Sequence, residues 1–429
     1  MLIFTSLTLR NYLKCALATT LIKVNSFKAF TRSVPGLIFS WLVTRYFLFQ
    51  FITLKFYYPE GKWLKGDVEL YQFWSLGLIQ RIFPINDSMW QYPPLAGFVF
   101  TIPQYIFGNS NIGFIFTMIF FDLLILITIL KFGLSLYKRN VLVALEGFAG
   151  AWFWVIWPIL MGPLLLTRFD LVPTWFAILG LIAIYEKRIN LAGFLIAIGS
   201  LLKLWPILIL SIIAKKTLRK IISPFVFSCI LILIFIELIS VGSFSFLENQ
   251  SSRGLQVESI AAIIYVIFKL LGGNVEYPFR YGSLEVEAIF ANQIATILNI
   301  STVAFFLILL ILNIKRKLNV LNIFEKSLIV IIFAIGLSRV FSPQFWIWIG
   351  GLSALVILFK ESKLNKVVLI LAGSAFLTQI LYPALYVGLL NGDLFPSIIQ
   401  ILRIILFISA MTLSFKLLLE SSKQKVKHD

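Results

Sequence analysis

The chain has 429 residues, of which 60% are hydrophobic and 13% are charged, and its mean hydropathy is +0.95. A soluble domain of this composition would expose too much apolar surface, so the sequence predicts a polytopic membrane protein. The formal net charge of +18 does not predict a nucleic-acid partner, because the Lys and Arg residues fall in short clusters between apolar runs. That distribution is typical of cytoplasmic loops that meet anionic lipid head groups.

The apolar runs are continuous and do not alternate, which excludes a β-barrel. One crossing takes roughly 20 apolar residues, so the predicted fold is all-α: a polytopic transmembrane helix bundle of about 11–13 membrane helices, with short helices on the outer face. Two cysteines, Cys15 and Cys229, and one histidine, His428, exclude a His-based metal site and a Cys/His nucleophile. We expect no cofactor and no metal, although a carboxylate-bound divalent ion is left open.

The first third of the chain places a long polar interval between apolar segments. Residues 1–33 are predicted to form a cytoplasmic, partly interfacial segment, since basic residues interrupt it and it has no small-residue cleavage site. Residues 34–56 form the first crossing, with Arg45 near its middle; a membrane arginine by default faces a polar cavity or a partner. Residues 57–93 form an outer loop. Residues 95–107, broken by Pro103, are predicted to lie partly embedded on the outer side.

Crossings are predicted next at 112–137, 141–160 and 171–185, with an outer turn at 161–170. From 190 to 214 the chain must leave and return to the cytoplasmic side, because a basic cluster follows at 215–220. About a dozen residues per limb are too few to cross, so we predict a hairpin. Its tip, KLWP at 203–206, places Lys203 at membrane depth near the outer side.

The remaining crossings are predicted at 221–241, 289–314, 327–341, 345–359, 367–390 and 397–419. A second outer loop at 244–288 contains a polar stretch at 247–259 and a short surface helix at 260–271. The transmembrane domain would therefore span 34–420, followed by a basic tail at 421–429. Lysine clusters in the links place both termini in the cytoplasm.

Acidic groups among aromatics mark the first outer loop, at GDVELY (66–71) and QYPPL (91–95). Asp67 and Glu69 next to a membrane suit the handling of a sugar hydroxyl. An ordinary outer loop with interfacial aromatics explains the same residues equally well.

Other charges fall on the same predicted side of the membrane: Arg168, Asp170, Lys203, Arg253, Glu258 and Arg339. Several cations with a few carboxylates at one face suggest a site for a phosphate-bearing lipid beside a catalytic base. Structural alternatives are open for each. Arg168 and Asp170 could pair with one another, Lys203 and Arg339 could snorkel to the interface, and Arg253 and Glu258 could be solvated. Asp122 and Glu237 lie inside apolar spans and favour helix packing or hydrogen bonding.

With these pieces in place, the chain resembles the C-type glycosyltransferases, and most closely the mannosyltransferase-like proteins of glycosyltransferase family 87. Five segments in order carry the resemblance: GDVELY with YPPL, RFDLVP at 168–173, AGFLIAIGSLLKLWPILIL at 192–210, SRGLQVES at 252–259, and SPQFWIW at 342–348. The chain has Glu69 two residues after Asp67, where some related enzymes have a second aspartate.

The resemblance implies an inverting transfer of a hexosyl group, first of all mannosyl, from a polyprenyl-phosphate sugar to a glycolipid or glycan acceptor outside the cytoplasmic membrane. Membrane lipids would be its other partners. Asp67 would be the general base, Lys203, Arg253 and Arg339 would stabilise the departing phosphate, and Tyr71, Trp74 and Tyr92 would pack against sugars. The predicted substrate-binding residues are Glu69, Tyr71, Tyr92, Arg168, Asp170, Lys203, Arg253, Glu258, Arg339 and Gln344.

A multi-pass transporter or flippase of a lipid-linked sugar is the alternative from another class. It would also have many helices and membrane charges, but it should spread those charges along a central pathway and show a repeated architecture. In this chain the polar residues concentrate in two outer stretches and no repeat is visible. A non-catalytic scaffold would not explain Lys203 or Arg45.

Overall fold

A computed structural model describes residues 28–247, 253–315 and 321–423. The predicted N-terminal segment lies almost wholly outside these residues, as do most of the basic tail and the start of the polar stretch at 247–259. The described part is almost entirely helical, with one two-stranded antiparallel sheet that pairs Phe279 with Leu284. The predicted all-α, polytopic fold is confirmed.

The helices of the described part are α1 Val34–Ile52, α2 Gly66–Ile79, α3 Leu95–Phe107, α4 Asn111–Lys138, α5 Ala149–Met161, α6 Leu171–Tyr185, α7 Ile189–Leu202, α8 Lys215–Ile239, α9 Ile263–Leu270, α10 Ala291–Ile314, α11 Ile323–Gly336, α12 Phe345–Ile357, α13 Asn365–Ile380, α14 Tyr386–Asn391 and α15 Leu394–Lys423. Short 3-10 turns cover Gly61–Lys65, Ala144–Gly147, Pro163–Thr167 and Trp205–Ile212, and a π turn covers Leu381–Leu385. The strands are β1 Phe279–Arg280 and β2 Ser283–Leu284.

Length separates the apolar helices into two groups. Six segments of the described chain are long and apolar enough to cross a membrane: α1, α4, α8, α10, α13 with α14, and α15. Five apolar helices, α3, α5, α6, α7 and α12, have only 10–17 residues. The short α12 is buried along nearly its whole length, whereas only four of the 24 residues of the long α10 are buried. Short helices therefore build the core, and long ones such as α10 face the lipid.

The core is packed closely where α5 meets α12. Trp157 is fully buried and donates a hydrogen bond from Nε1 to the carbonyl of Trp346 at 2.9 Å. A Cβ atom on Gly350 would lie 2.2 Å from that indole nitrogen, so only glycine allows this approach. The contact fixes α12, which carries SPQFWIW at its start, against the centre of the bundle.

Links between helices gather at two opposite ends of the bundle. At one end Arg139 pairs with Glu186 at 2.7 Å, and the backbone nitrogen of Lys363 donates to Glu325 at 3.0 Å. This basic end carries the lysine and arginine clusters of the links. At the other end Gln91 donates to the carbonyl of Tyr281 at 2.6 Å. We call this second end the loop-rich end.

The predicted hairpin is present and confirms the inference from its length. Helix α7 has 14 residues, about 21 Å at 1.5 Å per residue, which is shorter than the roughly 30 Å hydrocarbon core. The chain turns at Lys203 and returns as the 3-10 segment Trp205–Ile212. Lys203 thus lies at the tip, facing the loop-rich end.

Two predictions of local structure were wrong. The interval at 57–93 is not a plain loop, because residues 66–79 form α2 with Asp67 and Glu69 in its first turn, where acidic groups favour the helix dipole. The crossing predicted from 141 begins only at Ala149, after a 3-10 turn. The crossing predicted at 367–390 lies within Asn365–Asn391, which is long and apolar enough to span a membrane, with a kink after Ile380, where Pro383 lacks a backbone donor.

Candidate functional site

A cavity of about 480 Å³ opens at the loop-rich end and holds the predicted cations. Lys203, Arg253 and Arg339 line it together, although they come from three distant parts of the chain. Aromatic rings of Trp74 and Tyr92 complete the wall with other side chains. We call it the cationic cavity.

A second cavity of about 790 Å³ lies beside the first. Its walls are largely apolar and include Trp63, Phe73, Phe279, Val387 and Leu390. Besides Asp67, two predicted carboxyl groups, Glu69 and Glu258, also line it. We call it the apolar cavity.

The two cavities share one wall. The residues that line both are Asp67, Leu70, Met89, Gly282, Ser342 and Gln344. Among these shared residues, Asp67 carries the only ionisable side chain. A group in either cavity can therefore meet the same carboxylate.

The Asp67 carboxylate is fixed by an arginine. Its Oδ2 lies 2.8 Å from Nε of Arg168, which is 5% exposed, while the side chain of Asp67 is 37% exposed. Nε of Arg168 also donates to Oε1 of Gln344 at 3.2 Å, and its NH1 donates to the carbonyl of Thr167 at 3.1 Å. The other carboxylate oxygen of Asp67 makes no hydrogen bond to any described residue. It is available to a hydroxyl group at the shared wall.

Lys203 is held by a buried aspartate and a ring of aromatics. Its Nζ donates to Oδ1 of Asp170 at 2.6 Å, and Nε1 of Trp348 donates to the same oxygen at 2.6 Å. The ammonium lies 5.2 Å from the ring centres of Phe169 and Trp348 and 5.8 Å from that of Tyr92. The aspartate and the rings favour the cation, so a positive charge is kept at the edge of the cavity.

The alternative in which Arg168 and Asp170 pair with one another is wrong. Arg168 pairs with Asp67, and Asp170 pairs with Lys203. The expectation that Arg45 faces a partner is confirmed, because it forms an ion pair with Asp122 at 2.8 Å. Asp122 has the packing role predicted for it.

The Arg339 side chain contacts the backbone of Arg253. NH1 of Arg339 donates to the carbonyl of Arg253 at 2.5 Å, and NH2 of Arg253 donates to Oγ of Ser283 at 3.2 Å. Burial lowers the pKa of Arg253, and the nearby Glu285 carboxylate opposes that shift. Burial also raises the pKa of Glu285 above its ordinary value. The two guanidinium groups thus lie on one cavity wall with a single carboxyl group beside them.

Two predicted residues line neither cavity, and one lies at an exposed rim. Tyr71 is buried, its ring stacks on Phe100 at 4.4 Å, and its hydroxyl lies 3.4 Å from that of Tyr92. Asp170 is buried behind Lys203. Both therefore support a neighbour that lines the cationic cavity. Glu69 is exposed and lines the apolar cavity but not the cationic cavity.

Sequence reasoning did not single out Gln256 and Arg403. Oε1 of Gln256 accepts from the backbone nitrogen of Phe341 at 2.8 Å, and its Nε2 donates to Glu258 at 2.7 Å. Arg403 is fully buried in α15 and donates to the carbonyl of Glu258 at 3.1 Å. An arginine inside an apolar span is a signal that could have identified Arg403; Gln256 had no such signal.

The fold and the paired cavities define a polytopic, all-α membrane protein with a cationic site next to an apolar one. The profile of glycosyltransferase family 87 matches residues 90–247, a little over a third of the chain. This match confirms the resemblance found in the sequence and indicates glycosyltransferase activity. The matched segment contains Tyr92, Arg168, Asp170 and Lys203, whereas Asp67 precedes it. No curated protein matches the chain.

Proposed function

We propose that this protein is an inverting hexosyltransferase that uses a polyprenyl-phosphate sugar. It transfers the sugar, first of all mannose, to a glycolipid or glycan acceptor outside the cytoplasmic membrane. Asp67 is the general base. The observation that carries this proposal is the position of Asp67 on the wall between the cationic and apolar cavities.

The cationic cavity suits a phosphate donor. Lys203, Arg253 and Arg339 bring three positive charges, and charge-assisted hydrogen bonds to phosphate are about twice as strong as neutral ones. Asp170 behind Lys203 offsets one of these charges, whereas Asp67 is already paired with Arg168. The cavity therefore keeps an excess of positive charge that suits an anionic phosphate group.

The same cavity is placed for a lipid-linked donor. Asn299 and Thr302 of α10 line it, and only four of the 24 residues of α10 are buried. The apolar surface of this helix would face lipid tails. A polyprenyl chain can therefore stay in the membrane while its phosphate enters the cavity.

The reaction follows from these positions. An acceptor hydroxyl in the apolar cavity approaches the anomeric carbon of a sugar whose phosphate lies in the cationic cavity. The free oxygen of Asp67 takes the hydroxyl proton while the new carbon–oxygen bond forms and the bond to the phosphate oxygen breaks. The electron pair leaves with the phosphate, where Lys203, Arg253 and Arg339 stabilise the added charge.

Direct displacement accounts for inversion. Retention by two displacements needs a carboxylate nucleophile close to the sugar as well as an acid/base group. Asp67 is the one carboxylate that the described part of the chain places on both cavities. A single base and a stable leaving anion are enough for one inverting step.

The sidedness follows from the charges of the links. Lysine and arginine clusters at the basic end favour the cytoplasm, so the loop-rich end with Asp67 faces outward. A single cysteine introduced at position 67 should react with an impermeant thiol reagent in intact cells, whereas one introduced at position 425 should not. Labelling with the opposite sidedness would reject this orientation.

The activity is tested with purified protein in detergent. Labelled polyprenyl-phosphate mannose and a membrane lipid extract are supplied without any ion gradient, and the mass of the lipid product is measured. A product heavier by one hexosyl group supports the proposal, and Asp67→Asn is the matched inactive variant. Absence of transfer from mannose, glucose and arabinose donors would reject it.

A further inference from the structure

Glu258 is a buried carboxyl group on the wall of the apolar cavity. Its side chain is 2% exposed, and Oε2 accepts hydrogen bonds from Nε2 of Gln256 at 2.7 Å and from the hydroxyl of Tyr386 at 3.2 Å. Oε1 is buried and has no hydrogen-bond partner among the residues that the structure describes. A buried polar atom in this state normally gains a partner from water or from a ligand.

No lysine or arginine of the described chain forms an ion pair with Glu258. Arg403, whose charge acts on Glu258, donates NH1 to the main-chain carbonyl of Glu258 and not to its carboxyl group. The other ionisable groups that act on it are the hydroxyls of Tyr382 and Tyr386. An ionised carboxylate without a paired cation is costly to bury, so the neutral acid is favoured.

We propose that Glu258, as a neutral carboxylic acid, binds a hydroxyl group of the acceptor sugar in the apolar cavity through Oε1. The acid oxygen donates its hydrogen to the sugar hydroxyl, which completes the hydrogen bonding that the protein leaves open. The surrounding apolar walls take the lipid or ring face of an amphipathic acceptor. This inference rests on the proposed function for the identity of the ligand as an acceptor.

The direction of the pH dependence follows from burial. Burial raises the pKa of Glu258 to about 7, with the Arg403 charge and the Tyr386 hydrogen bond opposing the shift. The donating acid form is present below this value and is lost as the pH rises through it. A sugar hydroxyl can also donate to the ionised carboxylate, but an apolar acceptor would then cover a charge that no cation pairs with, which is costly. Acceptor binding should therefore weaken from about pH 6 to about pH 8.5.

Infrared difference spectra test the protonation state without any turnover. In the intact protein in nanodiscs, the carbonyl band of a protonated carboxyl group should disappear as the pH rises through about 7. Glu258→Gln should remove that component. Glu276→Gln makes the same change at an exposed carboxyl group of the same outer segment and should keep the band. Glu285→Gln identifies the band of Glu285, the other carboxyl group of this segment whose pKa is raised by burial. Identical spectra for the wild type and Glu258→Gln would overturn the proposal.

Octyl mannoside is the binding probe, because it joins an apolar chain to sugar hydroxyls. Its Kd for the wild type should rise about two- to tenfold between about pH 6 and about pH 8.5. This change in Kd corresponds to the usual free energy of one hydrogen bond. Glu258→Gln keeps an N–H donor, so it should bind at low pH like the wild type and show no pH dependence. Glu258→Leu should bind weakly at both values, and Glu276→Gln should follow the wild type.

Three results would overturn the inference: no binding of octyl mannoside by the wild type, binding that does not depend on pH, or an unchanged pH dependence in Glu258→Gln. None of these measurements requires sugar transfer. If transfer fails while the probe binds as expected, the proposed reaction is rejected and the sugar site at Glu258 stands. If transfer succeeds while the pH dependence is absent, only the role of Glu258 is rejected.

Discussion

Two Arg–Asp ion pairs in this protein have the same closest nitrogen–oxygen distance and different surroundings. Arg45 meets Asp122 and Arg168 meets Asp67, each at 2.8 Å between nitrogen and oxygen. Both side chains of the first pair are buried, at 3% and 0% exposure, whereas Asp67 in the second pair is 37% exposed. Access to the carboxylate is the difference between them.

The first pair is complete without a ligand. Arg45 donates to the carbonyls of Val155 and Trp154 at 3.0 and 3.2 Å, and Nε1 of Trp41 donates to Asp122 at 2.5 Å. It joins α1 to α4 and α5 inside the bundle. The second pair leaves one carboxylate oxygen open to two cavities. An Arg–Asp pair thus indicates function here only when its acid can reach a substrate.

The largest effect is expected for Asp67→Asn. Asparagine has nearly the same size and still accepts a hydrogen bond, but it cannot take the proton. Turnover should fall by about 10²–10⁴-fold. The thermal unfolding midpoint should fall less than when the fully buried pair is broken, because Asp67 is 37% exposed. Single-turnover transfer with saturating donor and acceptor measures the loss. Near-normal turnover would remove Asp67 from the role of base.

The same substitution in the buried pair should do the opposite. Asp122→Asn leaves the Arg45 charge without a partner inside the bundle, which costs about 3–5 kcal/mol when a buried pair is broken. The unfolding midpoint should drop, while the folded fraction keeps its turnover. A folded Asp122→Asn protein with normal stability and lost turnover would show that the comparison between the two pairs is wrong.

The sequence predicted most of the helices because membrane crossings are long apolar runs. The helix predicted at 171–185 matches α6 residue for residue, although its 15 residues are fewer than a full crossing needs. The short limbs of the hairpin were evident from chain length alone. Helix α2 was missed because its 14 residues mix Asp67 and Glu69 with aromatics and do not form such a run. The helix interruption at Pro383 has a local signal, because proline lacks a backbone donor, whereas the 3-10 turn at Ala144–Gly147 has no such signal in the composition.

The site was predictable as a set of charges and not as a set of pairs. Counting charges on one predicted side brought together Asp67, Lys203 and Arg253, and the cavities contain all three. Sequence distance favoured pairing Arg168 with Asp170, two residues away. The observed partner of Arg168 is 101 positions earlier in the chain. The packing of the 3-10 turn Gly61–Lys65, which precedes α2, against the turn Pro163–Thr167 brings them together.

A smaller effect is expected for Arg253→Gln. It removes one charge-assisted contact to the phosphate, so the donor KM should rise about 10- to 100-fold. The value of kcat should fall as well, because the same charge stabilises the departing phosphate. Lys203→Ala needs Asp170→Asn as its companion, because the buried Asp170 would otherwise keep an unpaired charge. The double variant should show a similar rise in donor KM. If either variant has unchanged donor kinetics, the cation that it lacks, Arg253 or Lys203, has only a structural role.

The smallest effect is expected for Glu69→Gln. This variant tests whether the position of a carboxylate on α2 determines which residue acts as the general base. Residues two apart on a helix do not share a face; Glu69 is exposed and lines only the apolar cavity. An exposed polar substitution changes free energies by about 0.5 kcal/mol or less, so kcat and acceptor KM should shift by about twofold at most. An inactive Glu69→Gln beside an active Asp67→Asn would move the base two residues along. If both variants stay active, the first turn of α2 is not the catalytic centre, and movement of a lipid-linked sugar across sealed vesicles becomes the function to measure.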